Sequence, residues 1–148
     1  MNWIIGSIKW IMVISGALTC TMFYAAIAPL PALQSTFGES IDGPVANIVV
    51  RNWGVLIALI GGMLIYGAFN PSVRFFVLTV AGLSKMVFIT LVLVAGRQFL
   101  DHQAGTAVIV DATQVTAFGL YILAVRRAAR SNSGSRAAAA AIGGGRTR

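Results

Sequence analysis

The chain predicts an all-α fold, a four-helix transmembrane bundle with both termini cytoplasmic. Three observations carry that expectation. Four apolar runs of about 19 to 22 residues each match a ~30 Å hydrocarbon layer crossed at 1.5 Å per residue. Of the 148 residues, 57% are hydrophobic and only 10% charged, where soluble domains carry about a quarter charged, and the mean hydropathy is +0.84. The many short alternating segments that a membrane barrel requires are absent from the sequence. So small a body has no interior able to hide four such runs, so lipid must cover them.

The first span reads from about residue 10 to 28 and stops at Pro29 and Pro31. The second covers about 48 to 69 and ends at the turn dipeptide Asn70 and Pro71. The third takes about 75 to 96, the fourth about 106 to 125. Between the first two spans, a short interfacial helix from Pro31 to Phe37 competes on equal terms with an ordinary linker before the turn at Asp42, Gly43 and Pro44. Residues 1–127 thus form the transmembrane domain. Residues 128–148, rich in Ser, Gly and Ala, read as a disordered basic cytoplasmic tail whose arginines touch anionic headgroups.

Orientation follows from loop charge. Lys9, Arg74, Arg126, Arg127 and Arg130 gather near the amino terminus, the second connection and the tail, while the first connection carries only Glu39 and Asp42. Arg97 with Asp101 is a tolerable exception in the third connection. A cleaved signal peptide competes for the first run, because Ala26, Ile27 and Ala28 resemble a cleavage site. The proline that follows directly, and the length of the run, favour retention. The net charge of +7 does not point to nucleic acid, since six of the eleven basic residues lie after position 125.

Lipid tails give helices no hydrophobic reason to associate, so small residues mark the faces that pack. Gly54, Ala58 and Gly61 follow Arg51 at helical spacing, and Ala81 and Gly82 precede Lys85 by four and three. Ala107 precedes Asp111 by four, Gln114 follows it by three, and Ala17, Thr21, Tyr24 and Ala28 share one stripe. Tyr24, Arg51, Lys85, Asp111 and Gln114 are therefore the candidate polar cluster. From the rise per residue, Arg51 lies about 4 to 5 Å in from the outer ends, Asp111 about 7 to 8 Å and Lys85 about 16 Å. A lone charge at mid-membrane costs about 2.5 to 3.5 kcal/mol, so pairing is expected. Two cations against one carboxylate leave a positive surplus, which invites an anionic ligand, a lipid phosphate or a partner's carboxylate. The plainer alternative has Arg51 reaching to headgroups, with Lys85 and Asp111 a structural pair that sets helix register.

Other chemistry finds no support. His102 has no second histidine or cysteine nearby, so no metal is expected. Cys20 lies inside an apolar run as a small buried residue, and Trp3, Trp10 and Trp53 lie where an aromatic belt belongs. Ser7, Ser15 and Ser84 lack triad partners, and the glycines at 61, 62 and 67 follow no strand.

The segments VVRNWGVLIALIGGMLIYG, AGLSKMVF and VDATQVTAFGLYIL resemble an uncharacterised family of small four-helix bacterial inner-membrane proteins, itself similar in layout to the DoxX-like membrane proteins. The resemblance covers about residues 10 to 125 and rests on Arg51, Gly54 and Asp111. It implies a multi-pass protein of the bacterial cytoplasmic (inner) membrane and, by analogy, a helper subunit of a redox assembly. No span carries a histidine, so bis-histidine heme ligation is not expected, nor is any other cofactor. The leading functional expectation is non-enzymatic: an accessory or scaffold protein packing against a larger membrane partner or its own copies, with a polar pocket open to the outer face. The alternative is a small-molecule, anion or proton carrier using Arg51, Lys85 and Asp111.

Overall fold

Prolines and glycines punctuate the chain, and the helices begin and end where they fall. The computed structural model describes residues 2–143, with the side chains of 2–5, 97 and 131–143 left outside that description. Helix α1 spans Asn2–Cys20, a 3-10 turn Thr21–Phe23 and α2 Tyr24–Ile27. Then follow α3 Pro29–Phe37, α4 Pro44–Phe69, α5 Pro71–Ala95, a 3-10 turn Arg97–Asp101 and α6 Gln103–Gly143. Helices α3, α4 and α5 each start on proline, whose missing N–H would have no intrahelical partner there. Helix α3 stops at Gly38, which takes the left-handed conformation (φ 76°) and donates its N–H to the Gln34 carbonyl at 2.9 Å.

All regular structure among the described residues is helical. Four segments are long and apolar enough to cross a membrane: Gly6–Ile27, Pro44–Phe69, Pro71–Ala95 and Gln103–Arg130. The first starts earlier than the sequence predicts and is broken at Thr21, whose hydroxyl donates to the Leu18 carbonyl at 2.6 Å and so competes with the helical ladder. The last runs past Val125 through the stretch read as unstructured, with helical backbone as far as Gly143. Alanines 137 to 141 supply the reason, alanine being the strongest helix former. Residues 144–148 of that stretch lie outside the described residues.

The spans form a ring in the order α1, α4, α5, α6, with the α1–α4 seam the most extensive and the α6–α1 seam the thinnest. At the α1–α4 seam backbones touch: a Cβ on Gly16 would lie 2.6 Å from the Gly61 carbonyl oxygen, and one on Gly61 would lie 2.7 Å from that of Gly16. Gly54 also fits close under the 3-10 turn and α2, where a Cβ would lie 2.8 Å from the Ala26 nitrogen and 3.0 Å from the Met22 carbonyl oxygen. The inward face of α1 is therefore Ile8, Met12, Ser15, Gly16 and Thr19. The stripe of Ala17, Thr21, Tyr24 and Ala28 is not that face; Ala17, Thr21 and Tyr24 are exposed. Glycine allows closer approach than alanine or threonine, so Gly16 decided the rotation.

One half of the bundle is closed. Ile8 and Met12, Leu64 and Ala68, Val77, Leu78 and Ala81, with Phe118 and Tyr121, make one buried cluster drawn from all four spans. Beyond it, cations ring that end. Lys9 lies 4.4 Å from the centre of the Phe69 ring and Arg126 lies 5.2 Å from that of Phe75. Arg74 donates to the terminal carbonyls of α4 at Gly67 (3.3 Å) and Ala68 (2.8 Å). At the opposite end α3 lies across the bundle, burying Pro29, Ala32, Leu33 and Thr36.

Candidate functional site

The same helical stripes that build the closed core carry polar residues into the other half. On α5 the buried stripe runs Val77, Leu78, Ala81, Lys85 and Val92, so packing the first three inward takes Lys85 with them. On α6, Phe118 and Tyr121 are buried and continue back through Gln114 toward Asp111. The two stripes meet. Lys85 Nζ stands 2.5 Å from Asp111 Oδ1, with only 7% of the lysine exposed. It also donates to Thr19 Oγ1 at 3.4 Å, while the Thr19 hydroxyl donates to the Ser15 carbonyl at 2.8 Å. Gln114 is buried one turn away, its Oε1 without a hydrogen-bond partner among the described residues.

Beside the pair lies a cavity of about 490 Å³. Its walls come from every span: Thr19 and Met22 from the first, Trp53 and Ile57 from α4, Ser84 and Phe88 from α5, Thr106 and Val110 from α6. Thr36 of α3 covers it from the end of the bundle. Among the described residues, Lys85 and Asp111 are the only charged ones on its surface. Of its lining residues Leu18, Thr21, Gln103, Thr106 and Val110 are exposed; Gln103 begins α6 at the α3 end of the bundle, and the other four belong to the two spans that flank the thin α1–α6 seam. The exposed lining thus includes the α1–α6 seam as well as the α3 end of the bundle.

The other predicted members lie elsewhere. Arg51 is exposed and does not touch Asp111; it donates to Asn47 Oδ1 (2.6 Å) and to the carbonyls of Ala26 (2.5 Å) and Ile27 (3.4 Å). Those carbonyls end α2 and lack helical partners because the chain turns at Ala28, so the guanidinium caps a helix terminus. Its charge leaves the cluster, and the proposed positive surplus goes with it. Tyr24 is 51% exposed and borders neither this cavity nor the one described below.

Thr19, Trp53 and Phe88 escape a reading by charge, because hydroxyls and rings in an apolar run carry no such signal. The interval Thr19, Met12 and Ile8, at seven and four, is the one clue the sequence held. His102 packs against Gly38, where its ring occupies the space a side chain would need. Among the described residues no three His, Cys, Asp or Glu side chains gather at a metal-binding distance. No protein-family model, curated protein or solved structure matches the chain.

Proposed function

We propose that this multi-pass membrane protein holds a small, mainly apolar molecule in the cavity beside Lys85 and Asp111, and that it does so without catalysis. The observation that carries the reading is that a buried ion pair borders open space. A pair kept only for helix register needs no cavity, and packing it dry would regain the contacts that the open volume forfeits. A charged donor and acceptor at the base of apolar walls are the usual composition of a small-molecule site, a few polar groups fixing orientation within a hydrophobic lining. Ser84 lines the cavity, yet no histidine joins it there, which supports binding over hydrolysis.

The sequence alone favours a scaffold that packs on a larger membrane protein or on its own copies. Its exposed apolar faces, including Trp10, Phe76 and Val94, are equally well covered by lipid, so they do not choose between partners. The basic end is the proposed cytoplasmic one, supported by Lys9, Arg74 and Arg126 gathered there. The cavity then belongs to the outer half of the bilayer, and the bacterial inner membrane as its home rests on the family resemblance.

The test is native mass spectrometry of the full chain carried from its membrane in lipid nanodiscs. The expected result is a molecule of discrete mass retained by the wild type and lost from Lys85→Met/Asp111→Leu. Retention of bulk phospholipid alone, in both proteins equally, would overturn the reading. A stoichiometric protein partner in place of a small molecule would restore the scaffold.

A further inference from the structure

A second cavity of about 410 Å³ adjoins the first, and Trp53 and Phe88 line both. The two differ in chemistry. The first carries the Lys85–Asp111 pair and the hydroxyls of Thr19, Thr36, Ser84 and Thr106. The second is a half-open groove between α3, α4, α5 and the turn after α5, walled by residues such as Leu33, Val50 and Val92 with Leu91 exposed at its rim, and Glu39 is its one charged residue among the described side chains. It lies between α4 and α5 at the end away from their tight Asn70–Pro71 turn. Phe37 supports the dividing wall, its ring 6.2 Å from that of Trp53 and 5.9 Å, edge-on, from that of Phe99.

We propose that the occupant is a neutral single-chain amphiphile, its hydrogen-bonding head held at Lys85 and Asp111 and its chain passing Trp53 and Phe88 into the second cavity. The inference rests on the binding role proposed above and names the ligand class for that site. A chamber with polar groups at its base, beside an apolar groove and separated from it by only Trp53 and Phe88, matches the two halves of an amphiphile. The head is neutral because the chamber's two charges already compensate each other at 2.5 Å. An ionic head would bring an unmatched charge into a medium that penalises it. A hydroxyl head both donates and accepts, as the lysine, the carboxylate and the surrounding hydroxyls require. Each cavity falls within the ~300 to 1,000 Å³ range of small-ligand sites, room for a small head and one chain.

The experiment uses the full chain in phosphatidylcholine nanodiscs, with Trp3→Phe and Trp10→Phe leaving Trp53 as the only emitter. The probe is a monoacylglycerol brominated at mid-chain. Quenching of Trp53 is expected to saturate at a mole fraction about tenfold below that needed when the same bromines sit on phosphatidylcholine. Unlabelled monoacylglycerol should compete, while the fatty acid and fatty amine of equal length compete about tenfold less well. Ala95→Phe, at a helix end lining the second cavity, should weaken binding. Should that variant lose its fold, a chain-length series on the parent protein replaces it, with affinity rising until the second cavity is filled.

Unsaturable quenching equal to that of phosphatidylcholine would overturn the inference, as would equal competition by the charged amphiphiles or affinity indifferent to chain length. If the wild type still retains a discrete molecule that Lys85→Met/Asp111→Leu loses, such a result removes the amphiphile and leaves the binding site. If that molecule is missing too, both fall.

Discussion

The two halves of the bundle are built from the same four helices and obey different packing rules. Toward the basic end, Phe118, Leu64, Leu78 and Met12 fill the space between spans, and the Asn70–Pro71 turn holds α4 against α5. Toward the α3 end, the same faces carry Thr19, Lys85 and Asp111, and two cavities open around Trp53 and Phe88. The glycine contacts at Gly16 and Gly61 fall near the boundary. Close helix approach at mid-span and a tight turn at one end leave the other end free to stand open. Packed contacts are thereby concentrated in one half and open volume in the other, the division expected where function needs room.

The largest effect should come from emptying the closed half. Phe118→Ala removes a fully buried ring and is expected to cost about 3 to 5 kcal/mol, whereas Phe88→Ala, on a cavity wall, should cost under about 1 kcal/mol because its surroundings are already open. Reversible unfolding of both variants in mixed micelles measures the contrast, and equal losses would dissolve the distinction between halves. Next comes the boundary. Lys85→Met alone strands Asp111 in the interior and is expected to cost about 3 kcal/mol, while adding Asp111→Leu should recover most of it. A double change no better than the single one would show that the pair is not a coupled unit.

What the sequence made legible follows from what carries a signal there. Long apolar runs and proline boundaries gave the four spans to within a few residues, because lipid demands continuous helix and proline marks where it starts. Lys85 and Asp111 were also readable, since a charge in an apolar run needs a partner and small residues beside each one set its face. Arg51 was placed on the correct face of α4 but at the wrong partner. Its carbonyl acceptors at Ala26 and Ile27 exist only because α2 ends at Ala28, a tertiary detail with no composition signal. For α1, the stripe of Ala17, Thr21, Tyr24 and Ala28 was read as the packing face, whereas the closest backbone contact, Gly16 on Gly61, turns a different face inward. A polar pocket was expected from the charges, but its walls and the second cavity were not legible, for open volume depends on how helices diverge.

That glycine contact yields the third prediction. A methyl group added by Gly61→Ala would meet the Gly16 carbonyl oxygen and Cys20 Sγ at 2.7 Å each, so the α1–α4 seam must widen. The expected cost is about 1 to 3 kcal/mol. Gly62→Ala, one residue on with nothing within 4 Å, should be neutral or slightly stabilising through helix propensity. Thermal unfolding of the pair in detergent separates contact from propensity, and a Gly62 variant as damaged as Gly61 would move the seam.

The smallest effects set the two ends against each other through one shared device. Arg74 and Arg51 both donate to the unpaired carbonyls that close a helix, α4 at Gly67 and Ala68, α2 at Ala26 and Ile27. Each acts on the negative end of a helix dipole, an interaction of about 0.3 to 1 kcal/mol at an exposed site and more where water is partly excluded. Arg74 is half-buried and Arg51 exposed, so Arg74→Gln should cost about 1 kcal/mol and Arg51→Gln about 0.5 kcal/mol. Added salt should shrink the Arg51 difference first, because screening reaches an exposed charge more readily than a sheltered one. If Arg51→Gln instead lost several times more than Arg74→Gln, its charge would be felt inside the cavity after all. The open half would then hold three coupled charges where its geometry places two.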